Sequence, residues 1–518
     1  MKPALVIVVL GICGLVLVMG VTGLMENIVS TGPSDDLPVD GNGKPHTGLI
    51  DFRAYDEKQE NLVLYQCKAS SARQVPVPAN AKTGTKFCWE LTTPRMFPKD
   101  AEGRNTSVIT ADIAILSQIE RTIRKERYNS FVADLRNNVH IEGEQNNNLL
   151  LTGEGLAYDD ALKSAESNVG VRISDRNQRQ MILNGTGMKG MVNFKTLTFH
   201  RDITAYFAGN QFSVGSRRAS ETGTEAGKEQ RITKITCSGP MTLRRFDDIP
   251  VLYGFLETFD KFRATFGNPP LEEKYAADCL RFFQSRFAES FIAADDRELA
   301  EADIRQFFAQ SLPNAGQVSP TDEQVPLLLE ALQKLEALSG DVDVEDVELL
   351  RKMTAMLDGG ELNVDRNGNG VSLLIITFRK DVVAATRQTE SKSLTEIEKE
   401  DSARLIFREP YIDSWQRCDR LTILLKQWSK TGPDGKSVLQ DPEPEKIEMA
   451  GYDRPVLMKS FSPVREGSNI MQLDSIRECR QAHIYLEPDP EEKDSPPKQS
   501  RIVLIGDALV QQFRLPET

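Results

Sequence analysis

Signatures of catalysis are missing from this 518-residue chain. No G-x-S-x-G, P-loop or dinucleotide fingerprint sits between a strand and a helix, so nothing marks a nucleophile elbow or a phosphate cradle. Histidine is scarce: His46, His140, His200 and His483 are the only four, they lie far apart, and none falls in a metal or nucleophile spacing. The reading is that the chain is not an enzyme and encodes no catalytic residue, cofactor site or metal centre. Basic charge is also in deficit, with 63 Lys and Arg against 76 Asp and Glu and a net charge of -13. Such a surface repels phosphate backbones, which excludes nucleic acid as a partner.

Cysteine offers little. Cys13, Cys67, Cys88, Cys237, Cys279, Cys418 and Cys479 are scattered with no C-x-x-C pair. Cys13 lies in an apolar N-terminal run, which leaves six elsewhere. That even number is compatible with disulfides in an oxidising compartment, and equally with isolated, reduced, buried thiols.

Ala4 to Leu24 forms 21 consecutive uncharged residues, the length of a helix that crosses a bilayer. Lys2 precedes it, and Glu26, Asp35, Asp36 and Asp40 follow, so the positive-inside tendency places the N-terminus in the cytoplasm and the rest outside. A cleaved signal peptide is the competing reading, although the run is long for one and lacks an A-x-A-like site. Ser30 to Gly48, rich in Gly, Pro, Asp and Ser, reads as a flexible tether.

After the tether, period-two alternation in short runs dominates, and the body is expected to be mainly β. Strands are expected at Leu62–Cys67, Val192–Phe199, Leu373–Phe378 and Arg501–Ile505. A word recurs: an apolar or small residue, two variable ones, Asn or Asp, a β-branched residue, a variable one and a small or apolar one. Its copies begin at Leu135, Ala165, Phe199, Leu338 and Phe378. A second word, Leu151-Thr-Gly-Glu-Gly-Leu156, returns as Leu183-Asn-Gly-Thr-Gly-Met188, 32 residues on. The expectation is a strand, a turn at the Asn or Asp, and a return strand, with units stacking by edge pairing. The glycines would relieve crowding where strands bend or approach closely.

These words resemble the periplasmic lipopolysaccharide-export bridge family, the LptC and LptA/OstA-like proteins. The residues that carry the resemblance are Leu151 to Tyr158 with the Asn168-Val169 turn, and Leu183 to Met188 followed by Leu197 to Ile203. The resemblance implies an elongated, open jelly roll of repeated antiparallel strand units behind an N-terminal transmembrane helix. It divides the chain into an anchor (1–26), a linker (27–50), an LptC-like β domain (51–214), an OstA-like unit with a helical insert (215–330) and further OstA-like units (331–518). It implies a lipid groove that includes Leu151, Leu156, Leu183, Met188, Phe194, Phe199 and Ile203. The partners implied are lipid or lipopolysaccharide, other envelope lipid-transport components including an inner-membrane transporter, and the inner membrane itself. The alternative reading is a structural envelope scaffold of stacked β units, whose inner face would be closed by bulky side chains.

Two departures from a lone bridge domain are the length and the helical patterns at Ala277–Ala309 and Thr321–Leu338. In the first, Leu280, Phe283, Phe287 and Phe291 share a face; in the second, Leu328, Leu332 and Leu335 do. Asp365 to Gly370 matches the opening of a calcium loop, but position 12 is Ile376, so an Asn-Gly turn is the better account. Asn105 and Asn184 open chance-level glycosylation triplets. Gly432–Lys446 and Glu487–Ser500 read as solvated loops.

Overall fold

A computed structural model describes residues 46–513, apart from several short loops and the longer stretches 209–228, 288–322, 339–346 and 355–370. The expected anchor, the tether up to residue 45 and the Asp365–Gly370 turn therefore lie outside the described residues. No helix among the described residues is long and apolar enough to cross a membrane. The chain divides into two compact units, one drawn from Met1–Thr122, Glu126–Ile173 and Gly187–Asn193, the other from Ile123–Lys125, Ser174–Thr186 and Phe194–Thr518. Both are mainly β, and their paired strands run antiparallel.

In the first unit, β1 (His46–Tyr55), β2 (Val63–Val75), β3 (Thr85–Thr92), β4 (Arg95–Pro98), β5 (Ser107–Thr110), β6 (Ile113–Ile123), β7 (Glu126–Gly143) and β8 (Leu149–Asp159) precede β9 (Ser164–Asp175) and β10 (Met181–Met191). The last two contribute residues to both units. Strand β2 changes partner midway: Tyr65–Lys68 pair with β4, and Ser71–Val75 with β3. Strand β7 kinks where Asn137 and Asn138, both at positive φ (59° and 48°), insert between Arg136 and Val139, which face Gly155 and Gly153.

This corrects the expected turn. The Asn of the repeated word does not reverse the chain: in the Leu135 copy two left-handed residues opposite one form a bulge and the strand runs on in the same direction, and in the Ala165 copy Asn168 lies within β9 with no left-handed φ. Asn and Asp suit the site because they enter the left-handed region more readily than other side chains with a Cβ. The same device recurs in the second unit at Lys380 (φ 65°) with Asp381 (φ 53°), opposite Asp419, and Asp202 on β11 is a single left-handed residue (φ 55°). The copy at Asp341 lies outside the described residues.

The second unit continues with β11 (Thr196–Ala208), β12 (Glu229–Cys237), β13 (Met241–Phe246), α1 (Ile249–Ala264), α2 (Glu273–Phe287), α3 (Gln324–Leu338), β14 (Val371–Glu390), α4 (Leu394–Arg404), β15 (Ser414–Thr431), β16 (Ser437–Leu439), β17 (Glu443–Ala450), β18 (Val456–Pro463), β19 (Met471–Cys479), β20 (Gln481–Glu487), β21 (Lys498–Ile505) and β22 (Leu509–Gln512). Strands therefore occupy part of both stretches expected to be solvated loops. Val192 to Lys195 is a turn rather than the start of a strand, and Phe194 sits in it at φ 58°. Alternation alone cannot separate a strand from a turn that tucks one apolar side chain inward.

One line of interruptions crosses the second unit. On one side, β11, β13, β14, β15, β17, β20 and β21 pair in succession; on the other, β11, β12, β14, β15, β18, β19 and β22 do. At the line, Asp419 on β15 accepts backbone N–H groups of Tyr452, Asp453 and Arg454 at 2.7, 2.9 and 3.2 Å. Arg454 in turn ion-pairs with Asp381. Burial pushes the Asp419 carboxyl up, but those three donors together hold it below its ordinary 3.8. A carboxyl depressed in the folded state stabilises above its unfolded pKa, and that contribution fades as pH falls through the folded value. Asp419→Asn is expected to cost about 1 kcal/mol at neutral pH, the exposure of Tyr452, Asp453 and Arg454 keeping the figure low. Chemical denaturation at pH 7 and pH 3 checks this: the gap between parent and variant should shrink at the lower pH.

The line is a fold, not merely a fault. Phe207 on one side and Phe378 on the other would be roughly 20 Å apart across a flat sheet at ordinary strand spacings. Their rings meet edge to face at 6.4 Å. The first unit folds likewise, for Tyr65 and Phe131, on opposite sides of its line, stack at 5.6 Å. Each unit is thus a sheet doubled over into two arms.

Helices cover the outer faces in the second unit. Phe246, Leu373, Ile375 and Leu424 of one arm share a core with Leu252, Phe255, Phe259 and Phe262 of α1, Leu280 of α2 and Leu328 of α3; Leu332 packs against it. This explains the uninterrupted Leu373-Leu374-Ile375-Ile376 run, which is buried on both sides. On the other arm α4, opened by a Ser393–Glu396 capping box, packs Leu394 and Ile397 against Ile182, Tyr206 and Ile232. Buried Asp401 fixes α4 by accepting from Tyr206 Oη at 2.9 Å and Lys234 Nζ at 2.5 Å.

Candidate functional site: the face between the arms

Ladder register shows which side chains share the enclosed face, because directly opposed residues point the same way. On the first arm of the second unit, one rung runs Phe199, Met241, Phe378, Leu421, Met449, Ala482, Leu504. The next runs Leu197, Leu243, Ile376, Ile423, Ile447, Ile484, Ile502. Fourteen positions carry no polar group. On the facing arm, the rung nearest the fold includes the pairs Ile203–Cys237, Val382–Cys418 and Val456–Cys479.

Exposure along these rungs is graded. Near β11 to β15 the side chains are buried, whereas Ile502 and Leu504 on β21 are half-exposed. At the same end Ile505, Leu509, Val510 and Phe513 stand 42, 50, 57 and 44 % exposed. Among the described residues β21 pairs with β20 and β22 with β19, and both present an open side beyond. Among the described residues, the apolar rungs thus become less buried toward this sheet edge, beside exposed apolar residues that a ligand or partner could meet.

All seven groove residues expected from the resemblance are buried. Leu151 and Leu156 face Ile141 and Leu135 on β7 in the first unit. Met188 also belongs to the first unit, and Leu183, Phe194, Phe199 and Ile203 to the second. Phe199 and Ile203 bracket the fold on β11, Leu183 lies on β10, and Phe194 fills from a turn. They are distributed over the two units. Of the word's glycines, Gly185 is required: a Cβ there would stand 2.6 Å from the Phe199 ring. Gly153 and Gly155 meet only ordinary contacts, so crowding is not their reason.

The rungs toward β20 to β22 escaped the sequence reading. Their residues become neighbours through pairings between distant segments, such as β12 with β14 across the helical insert.

The six cysteines outside the apolar run are unpaired and buried. Burial pushes Cys67 and Cys418 up to about 12 and Cys237 and Cys279 to about 11, so these thiols stay protonated and behave as small apolar fillers. A thiol reagent at pH 8 should label the native chain at these positions far more slowly than the unfolded chain; equal rates would contradict their burial. Among the described residues no group of three or more His, Cys, Asp or Glu is placed to hold a metal ion. His140 and His200 are exposed on strands. Comparison with protein-family models and with curated proteins gives no match to this chain.

Proposed function

We propose that this chain carries an amphiphile of the lipid or lipopolysaccharide class along the face between its two arms, and releases it at the β21–β22 edge. The observation that carries the reading is the pair of wholly apolar rungs that pass from a buried interior to half-exposed Ile502 and Leu504. Each CH₂ kept from water there is worth about 0.8 kcal/mol, so acyl tails are sheltered without any chemistry. In this reading the doubled sheet is an open jelly roll of the LptC and LptA/OstA kind. Ala4–Leu24 anchors it in the inner membrane, the body occupies the periplasm, an inner-membrane transporter supplies the cargo, and a further envelope component takes it at the open edge by strand addition.

A structural scaffold is the second reading, and two specific contacts favour it: Tyr65–Phe131 and Phe207–Phe378 bring the arms together in each unit. Mass spectrometry of lipids that copurify with the full chain separates the two. Lipid in stoichiometric amount supports the carrier; a lipid-free chain of full stability supports the scaffold.

A further inference from the structure

Arg477 stands on the enclosed face of the second unit, one strand in from β22. On β19 it falls between Ser475 and Cys479, both buried, and unbroken pairing from Val456–Cys479 to Ser460–Ser475 places it on their side of the sheet, opposite Met458. Alternate residues of a strand share a face, so its side chain enters the same interior as that first rung. Strand β20 begins where β19 ends, across Arg480, and its enclosed residues are Ala482 and Ile484 of the apolar rungs. A cation on one arm therefore stands near an opposing wall that carries no polar group.

Among the described residues the Arg477 guanidinium has neither an ion pair nor a hydrogen bond. Arg231, also on the enclosed face of this arm, shows the usual solution, an ion pair with Asp413 at 3.7 Å. Burial pulls Arg477 below its ordinary 12.5, and Asp474 offsets this only in part, from beyond ion-pair range. The Asp474 carboxylate instead accepts from Ser460 Oγ at 3.5 Å. A guanidinium drawn from water without a counter-charge costs stability, and an incoming anion would offset that cost. A second polar group on the same face also waits for a partner: Ser414, two strands away and 1 % exposed, has an unbonded Oγ.

We infer that Arg477 anchors the carboxylate of a long-chain fatty acid whose tail lies on the apolar rungs. The inference rests on the reading of this face as a lipid carrier and narrows its cargo to a single-chain acid. The planar fork of a guanidinium matches the two oxygens of a carboxylate. One unpaired cation answers one negative charge, and a head with two would meet Asp474 as a like charge. A phosphodiester head brings an alcohol substituent as well, for which the flanking Met458 and Val510 offer no polar partner. The tail runs from Arg477 across to Ile484, Ile502 and Leu504, which are apolar throughout. A purely structural arginine predicts no dependence on the charge of the head.

The test uses the full chain and three diazirine-bearing probes with the same sixteen-carbon tail: hexadecanoic acid, its methyl ester and hexadecyl phosphate. The concentration that half-saturates adduct formation at neutral pH is read by mass spectrometry for the parent, Arg477→Gln and Arg477→Lys, with thermal unfolding of each as a check on folding. The expected result is that the acid binds the parent best and that Arg477→Gln weakens it about tenfold, the equivalent of ~1.4 kcal/mol. The ester should bind parent and variant alike, and Arg477→Lys, which keeps the charge but not the fork, should recover part of the loss. Equal loss for acid and ester, or loss for neither, overturns the anchor while leaving the carrier reading intact. Tighter binding of the phosphate than of the acid overturns the carboxylate assignment. A parent chain that forms no adduct with any probe overturns both readings.

Discussion

A chain in which Phe378 is replaced by alanine is expected to lose about 3–5 kcal/mol of stability and yet to hold more lipid. Phe378 is fully buried on β14, in the apolar rung between Met241 and Leu421, and its ring closes the interior by meeting Phe207 from the opposite arm. Truncation removes a whole buried ring and leaves a cavity that rigid sheet arms cannot collapse to fill. The helices behind do not compensate, since they pack on the other face through Leu373 and Ile375. If the ring is a stopper that tails displace, its removal spares them that work, and the variant copurifies with more lipid despite being weaker. Denaturant unfolding gives the first quantity and lipid mass spectrometry the second. The stability loss with unchanged lipid would mean that the ring is a structural filler.

The second large effect is expected at Gly239. It lies between β12 and β13, where the partner of β14 changes, and its N–H donates to the Arg379 carbonyl at 3.2 Å. A Cβ on this residue would stand 2.6 Å from that same carbonyl oxygen and 2.7 Å from Lys380 Cβ. Backbone cannot yield as a long side chain does, so Gly239→Val must push the bulge at Lys380 and Asp381 away. Overpacking of this kind costs about 1–3 kcal/mol, and the lost corner hydrogen bonds raise the total to roughly 4 kcal/mol. By contrast Gly170, where a Cβ would meet nothing within 4 Å, should accept alanine with little loss. The pair of variants, compared by thermal unfolding, separates the geometry of the fold line from a general intolerance of substitution.

Much of this architecture was legible in the residues. Alternation located Leu373–Phe378 and Arg501–Ile505 as strands, and apolar spacing located α2 and α3 because a 3.6-residue period has no other common cause. The repeated word was legible as a unit but not in its meaning. Asn137-Asn138 and Lys380-Asp381 carry the same preference for left-handed backbone that a tight turn uses, and only the pairing partners on either side reveal a bulge within a continuing strand. Phe194 misled for a related reason, since an inward-pointing aromatic in a turn keeps the rhythm of a strand. The rung that pairs Thr233, Thr386, Ser414, Ser460 and Ser475 across β12, β14, β15, β18 and β19 was beyond reach, because each is an ordinary alternating residue by itself. Register alone brings them together, and register between distant strands is set by the whole sheet rather than by any local window.

The most direct test of the account is a photo-crosslinking scan along β20 and β21 in the full chain, in membranes from cells that make it. Ile484, Ile502 and Leu504 lie on the enclosed face, while His483 and Val503 alternate with them on the opposite one. The account predicts lipid adducts from probes at the first three positions and none from the last two. Adducts from both faces alike, or from neither, would contradict a sided interior that carries lipid.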